Sequence, residues 1–294
     1  MNEPLPEVLR FCAWYMHLGA AEVVICFDDP ADPAIAVLQD QPGVRAVPCT
    51  AAFWADLGHR PDDSFVTRQN AALSWIYRDL TEGWLLNVDA DEFVYLEAGR
   101  VADFLAKVPS TAVSARIVTA ERLLAEAPRG EVLFRRPMGY EERKAVYGAD
   151  AALFGPRRAG LVGHPQGKSF VRCGVPGLSL RQHWPRWGRG EEPREAIYDH
   201  REGAHLLHMI GADYAIWRGK LDWRCRSRGF TSGLTTQIEA ALALAPPQRD
   251  QTLQDLFRRL HGADAERLAR LAAVDALLRL DWDPDPLVAA RFGV

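Results

Sequence analysis

The feature that most constrains this chain is an apolar run that ends in acid. Gly83-Trp84-Leu85-Leu86-Asn87-Val88 leads without a break into Asp89-Ala90-Asp91-Glu92-Phe93. A near-continuous apolar run of this length reads as a strand buried on both faces. It delivers two carboxylates, one small residue apart, onto the edge of a sheet. The same reading applies upstream, where Glu22-Val23-Val24-Ile25-Cys26-Phe27 ends in Asp28-Asp29-Pro30. Between them the spacing predicts a short helix over residues 32–41, a strand at 44–47 and a long helix over 62–81. A first helix carries Leu5, Val8, Leu9, Cys12 and Met16 on one face and stops at Gly19.

Strands alternating with helices predict an α/β architecture, a mainly parallel sheet with helices on both faces. Ligands of such sheets bind beyond the carboxyl ends of the strands, and both acidic clusters fall on that rim. After Arg100 the pattern is mixed. A helix is expected over 101–107, a strand over 112–119, and a long loop over 124–150. Short strands are expected near 151–155, 169–175 and 204–210, then a helix over 212–228. From Gly233 the chain is rich in Ala, Leu and Arg at helical spacing, broken at Pro246-Pro247 and Gly262. The expected organisation is therefore one large domain, 1–232, with a C-terminal helical appendage, 233–294.

Composition removes several classes of function. Of 294 residues, 48% are hydrophobic and 25% charged, so a core of ordinary size needs no disulfides. A formal charge of -4 lacks the basic footprint of bulk nucleic-acid binding. The five cysteines are scattered, with no CxxC pair, which fits a reducing compartment. No basic-then-apolar leader follows Met1, and no apolar run reaches the ~18 residues that span a bilayer. The expectation is a cytoplasmic protein, with any membrane contact peripheral.

Two carboxylates at a strand end are hard oxygen ligands suited to Mg²⁺ or Mn²⁺, which also take oxygens from a substrate diphosphate. A solvated turn after a strand would carry the same Asp-x-Asp, so the argument rests on the buried strand before it and the second acidic cluster upstream. Asp28 and Asp29 read either as hydrogen-bonding groups for a nucleotide's ribose or base, or as a helix N-terminal cap or Asx-turn before Pro30. Arg68, Gln69 and Asn70 open the face of the long helix and reach toward nucleotide or diphosphate, or form a plain polar face. The run Gly163-His164-Pro165-Gln166-Gly167-Lys168-Ser169 is not a P-loop, because Val162 stands where the first glycine must be and a strand, not a helix, follows. Lys168 remains a candidate point charge for phosphate. Among the late histidines, His205 and His208 point to opposite faces of a strand, so the two rings do not share a metal. His183, His205 or His208 is a candidate to complete the shell begun by Asp91. Trp184, Trp187, Trp217 and Trp223 offer a sugar-stacking wall or ordinary core.

Taken in order, Asn2-Glu3, Trp14 to Ala20, Asp28-Asp29-Pro30, Val47-Pro48, Arg68-Gln69-Asn70 and Trp84 to Phe93 resemble the glycosyltransferase family 2-like group. Gly167 to Arg172, the His205–His208 stretch and Lys220 to Gly229 resemble that group's later signature, so the likeness covers about residues 2–230. It implies a GT-A fold, the Rossmann-like nucleotide-diphospho-sugar transferase architecture, a mixed sheet with helices on both faces. It implies a nucleotide-sugar donor such as a UDP-sugar, and a divalent metal held by Asp91 with help from Asp89. By the same resemblance Asp28 or Asp29 faces the nucleoside, and Lys168 and His208 serve the diphosphate and metal. Members of the group usually begin with a strand before the Asn-Glu pair, whereas this sequence starts at Met1-Asn2-Glu3.

An inverting transfer needs a carboxylate base at the acceptor hydroxyl. Glu121 and Asp213 are the candidates. The acceptor class, whether polysaccharide, lipid-linked or protein, is not written in the sequence. Two other readings compete. One is a non-catalytic domain of the same fold that binds a sugar or a partner. The other is a phosphate-handling enzyme of the haloacid dehalogenase kind, which expects Thr or Val where Phe93 stands.

Overall fold

The computed structural model describes residues 1, 3–128, 130–187, 194–227 and 229–293. Asn2 and Arg228, both part of the resemblance, lie outside the described residues. In chain order the first half runs α1 (Leu5–Leu18), β1 (Val23–Phe27), α2 (Ala34–Leu38), β2 (Val44–Pro48), α3 (Ala51–Asp56), α4 (Phe65–Arg78), β3 (Trp84–Leu86), β4 (Glu92–Leu96), α5 (Val101–Leu105), β5 (Ser114–Ile117), β6 (Thr119–Arg122), β7 (Glu131–Arg135), α6 (Tyr140–Tyr147) and α7 (Ala151–Phe154). The second half continues β8 (Lys168–Arg172), β9 (Leu178–Ser179), β10 (Arg186–Trp187), β11 (Glu195–Tyr198), β12 (Ala204–His208), α8 (Tyr214–Gly219), α9 (Leu221–Arg226), α10 (Ser232–Leu242), α11 (Gln248–His261), α12 (Ala265–Ala273), β13 (Leu277–Asp281) and α13 (Asp285–Phe292).

The chain divides into two compact units that are discontinuous in sequence. The first comprises Met1–Val118, Gln166–Leu206 and Pro284–Val294; the second comprises Thr119–Pro165 and Leu207–Asp283. The sequence placed one boundary at 232/233. Here residues 233–283 instead share a unit with 119–165, and the last segment belongs with the first unit.

In the first unit β1 and β2 pair in parallel, Val23 opposite Val44 through Phe27 opposite Pro48. A four-stranded sheet runs β11-β5-β8-β3. Its β11–β5 pair is parallel and its other pairs are antiparallel. The parallel sheet expected from strand and helix alternation is thus split. β1 and β2 form their own ladder, and β3 belongs to another. Helix α1 closes with Gly19 at φ 100, a left-handed turn that glycine adopts without Cβ strain. Its Trp14 donates from Nε1 to Val94 O at 2.8 Å. Its Tyr15 hydroxyl donates to Glu92 O at 2.9 Å and accepts from Val94 N at 3.1 Å. These buried bonds fix the start of β4 and with it the acidic loop.

In the second unit β7 pairs antiparallel with both β13 and β6. Helices α6 to α12 surround a core that includes Trp217, Leu221, Leu234, Leu253 and Leu260. Three sequence expectations are corrected here. Residues 124–150 are not one loop, because β7 and α6 lie within them. The alternation in Glu131–Arg135 became a strand through a partner some 145 positions away, β13, and no local signal announces such a partner. The run near 151–155 is helical, which a short apolar run does not decide by itself. The expected helix over 212–228 is interrupted at Lys220, which caps both α8 and α9.

Candidate functional site

The acidic loop forms because β3 is shorter than its apolar run. Only Trp84–Leu86 pair with β8, and Asn87 turns its amide to donate to Gln182 O at 3.1 Å. Residues 87–91 therefore make a turn between β3 and β4, and Glu92 closes it by accepting from Asp89 N at 2.8 Å. The turn is built on a buried lysine. Lys168 leads β8, its side chain is 1% exposed, and its ammonium lies 3.1 Å from Asp89 Oδ2 and 3.4 Å from Glu92 Oε2. It also donates to Gln182 O at 3.2 Å. Burial by itself would lower the ammonium's pKa. The charges of Asp89 and Glu92 outweigh it, so the net shift is upward and Lys168 stays charged.

Asp89 keeps 45% of its side chain exposed, and its other oxygen accepts from Gln69 Nε2 at 3.3 Å. Gln69 in turn accepts from Gln182 Nε2. Asp89 is thus aimed by a cation on one side and an amide relay on the other. Asp91 is half-buried in the same turn. Gly167 makes the lysine's position available. It sits at φ +81, and a Cβ there would fall 1.7 Å from Ile117 O.

The neighbouring rim residues have structural employment as well. Asp28 pairs with Arg68, whose Nη2 donates to Asp28 Oδ2 at 3.2 Å and whose guanidinium lies over Trp54 at 5.6 Å. Asp29 accepts from Ala31 N at 2.9 Å, the Asx-turn alternative. Asn70 Oδ1 is buried and has no hydrogen-bond partner among the described residues. It stands one position from Gln69, on the helix that serves Asp89.

Could this loop hold a divalent cation? Among the described residues no three His, Cys, Asp or Glu side chains cluster as ligands. The described residues alone supply no closed cage. Two carboxylates with water and substrate phosphates are the usual complement for Mg²⁺, and Asp89, half-exposed although paired with Lys168, and Asp91 are the two carboxylates of this turn.

The second unit holds a separate buried network around Glu121. This carboxylate and Arg135 are both fully buried, 2.8 Å apart. Glu121 also accepts from Val162 N at 2.8 Å and from Gly163 N, and His208 Nδ1 lies 3.7 Å away. Burial would raise its pKa, but the Arg135 charge and His208 prevail and hold it well below the usual carboxylate range. A carboxylate so enclosed and so weakly basic is poorly suited to take a proton from an acceptor hydroxyl. Asp213 caps α8, accepting from Ile216 N at 2.8 Å. Neither candidate base is placed for catalysis by these contacts.

His208 thus belongs with Glu121, while His205 Nε2 lies 3.2 Å from Glu97 Oε1 in the first unit. His183 Nδ1 lies 3.2 Å from Gly167 O. Of the tryptophans, Trp217 is core at 2% exposure and Trp223 is exposed, while Trp184 lies under Arg116 at 5.2 Å. The sequence reading named Gln69 and Lys168 but missed Asn87, Glu92 and Gln182. Glu92 was visible as the acid following the pair. Gln182 carried no signal, because its role comes from a loop brought to α4 by folding.

No family model matches the chain, and no curated protein or solved structure matches it either.

Proposed function

We propose that the chain is a glycosyltransferase of GT-A type that moves a sugar from a nucleotide-sugar, a UDP-sugar by the resemblance, to an acceptor hydroxyl. The observation that carries this reading is the turn after β3. It presents Asp89 half-exposed, with its carboxylate aimed by Lys168 and Gln69, beside Asp91. Asp89 and Asp91 would hold Mn²⁺ or Mg²⁺ together with the donor's diphosphate. A cation bound there neutralises charge on the leaving nucleoside diphosphate. The chain's own part is positional. Lys168 and Gln69 fix Asp89 before substrate arrives, so little reorganisation is left to the reaction.

The test is turnover of UDP-sugars with Mn²⁺. Asp91→Ala is expected to lower metal-dependent transfer or hydrolysis by roughly 100-fold or more. Turnover like that of the unaltered protein would overturn the assignment.

One observation favours a second reading, a non-catalytic binder of the same fold. Glu121 and Asp213, the two carboxylates named as bases, are both engaged in holding structure. Calorimetry with UDP and Mn²⁺ followed by a turnover assay separates the two. Metal-dependent binding without turnover of any sugar donor selects the binder.

A further inference from the structure

Two of the five free cysteines stand together. Cys26 is on β1, and its register partner on β2 is Val47. Cys49 N donates to Phe27 O at 3.0 Å, which carries the parallel ladder one step past β2. Residues opposite one another in a ladder leave the same face, as do residues two apart along a strand. Cys26, Val47 and Cys49 therefore share a face. Cys49 forms a buried cluster there with Trp54 and Ala72, and Cys26 packs against it. The Cys49 thiol donates a hydrogen bond to the Cys26 sulfur, and its Sγ also lies 3.7 Å from Val47 O. The two differ in access: Cys49 is 4% exposed, whereas Cys26 is half-buried. The other three cysteines stand apart, Cys12 on α1, Cys173 just after β8 and Cys225 on α9. Burial raises the pKa of each of those thiols, that of Cys12 to about 12. At Cys26 the direction reverses. The hydrogen bond from Cys49 outweighs burial, with help from nearby positive charge, so this thiol ionises more readily than an ordinary one.

We propose that Cys26 and Cys49 are a reversible oxidation site that a hydroperoxide closes to a disulfide. In the first step the Cys26 thiolate attacks the peroxide. An S–O bond forms and the O–O bond breaks. Hydroxide leaves and takes up the proton that Cys26 gave, as water. In the second step the Cys49 sulfur attacks the sulfenic sulfur of Cys26. The S–S bond forms, the S–O bond breaks, and the departing hydroxide takes the Cys49 proton. Two thiols and hydrogen peroxide become a disulfide and two waters, the sulfurs giving up two electrons. The attacking thiol is the accessible one and the resolving thiol is packed behind it, an arrangement that favours the disulfide over further oxidation. The bond ties β1 to the turn that leads into α3. It lies against Trp54, over which the Arg68 guanidinium sits at 5.6 Å. The inference is independent of the glycosyltransferase reading.

The experiment treats the reduced full chain with a small excess of hydrogen peroxide, removes the peroxide with catalase, blocks the remaining thiols in denaturant and maps the tryptic peptides. The five thiols are expected to fall by two. The bond is expected to join the peptide ending at Arg45 to the one ending at Arg60, and fragmentation is expected to place it on Cys26 rather than Cys12. Dithiothreitol is expected to restore both thiols. In Cys49→Ser, Cys26 is expected to stop at the sulfenic acid, which dimedone traps. In Cys26→Ser, thiol loss is expected to slow by roughly ten-fold. Retention of all five thiols overturns the proposal, as does a bond between other cysteines. So does formation of the bond at the same rate in denaturant, because the folded geometry would then contribute nothing. The peptide map of the unaltered chain decides the matter even where a serine variant fails to fold.

Discussion

At the scale of single residues, Lys168 is where resemblance and geometry can be told apart. The resemblance gives it to the diphosphate, whereas its ammonium is already held by Asp89 and Glu92. Removing it strands the buried Glu92 carboxylate, so Lys168→Met is expected to cost about 3 kcal/mol in urea unfolding. It also leaves one more uncompensated negative charge at the loop. Mn²⁺ binding without nucleotide should then tighten roughly ten-fold by titration calorimetry. Unchanged Mn²⁺ affinity with weakened UDP binding would return the lysine to the diphosphate.

His261 gives a pH dependence of known sign. It is fully buried, and neither ring nitrogen has a hydrogen-bond partner among the described residues. Burial, then the Arg135 charge, push its pKa down to about 3. Glu121 opposes this, while Arg224 and His208 add to the lowering. Below about pH 6.5 the unfolded chain takes up a proton that the native ring refuses. Stability is therefore full above that pH and falls as pH drops toward 3, by up to about 1.4 kcal/mol per pH unit. Glu121, also depressed, adds a loss of the same sign only below about pH 4.3. Unfolding measured at pH 7 and pH 5 should show the slope, and His261→Leu should flatten it.

At the scale of elements, the pairing of β5 with β8 depends on the residue just before the second strand. Gly167→Ala would drive a Cβ into Ile117 O from a positive φ, and a backbone carbonyl has little room to move. The variant is expected to lose more than about 3 kcal/mol, or to fail to fold, and to lose Mn²⁺ binding because β8, on which β3 and the Asp89 turn are built, is displaced. Unfolding and Mn²⁺ titration check both. Elements announced by local chemistry were legible. The long helix expected over 62–81 is one, observed as Phe65–Arg78. The left-handed glycine that ends α1 is another. Strand β7 was not legible, because a five-residue alternation means a strand only when a partner exists.

At the scale of the molecule, the C-terminal segment is part of the first unit. Helix α13 packs on α1, with Arg10 Nη2 3.0 Å from Asp285 Oδ1 and Arg291 donating to Pro42 O. A chain ending at residue 283 uncovers that face of α1, and its melting temperature is expected to fall by several degrees, about 1–2 kcal/mol. An unchanged melting temperature would show the segment to be dispensable. The sequence alone placed the acidic turn, because an apolar run ending in Asp-x-Asp is a local pattern, although β3 itself is half-buried and not covered on both faces as the run predicts. Folding decided how its carboxylates are used. Lys168 and Gln69 reach Asp89 from 79 and 20 positions away, and Gln182 donates to Gln69 from behind it. Folding also buried Glu121, which the sequence offered only as one of two candidate bases. Burial and ion pairing set the charge and reach of a carboxylate, and both depend on neighbours that only the tertiary structure supplies.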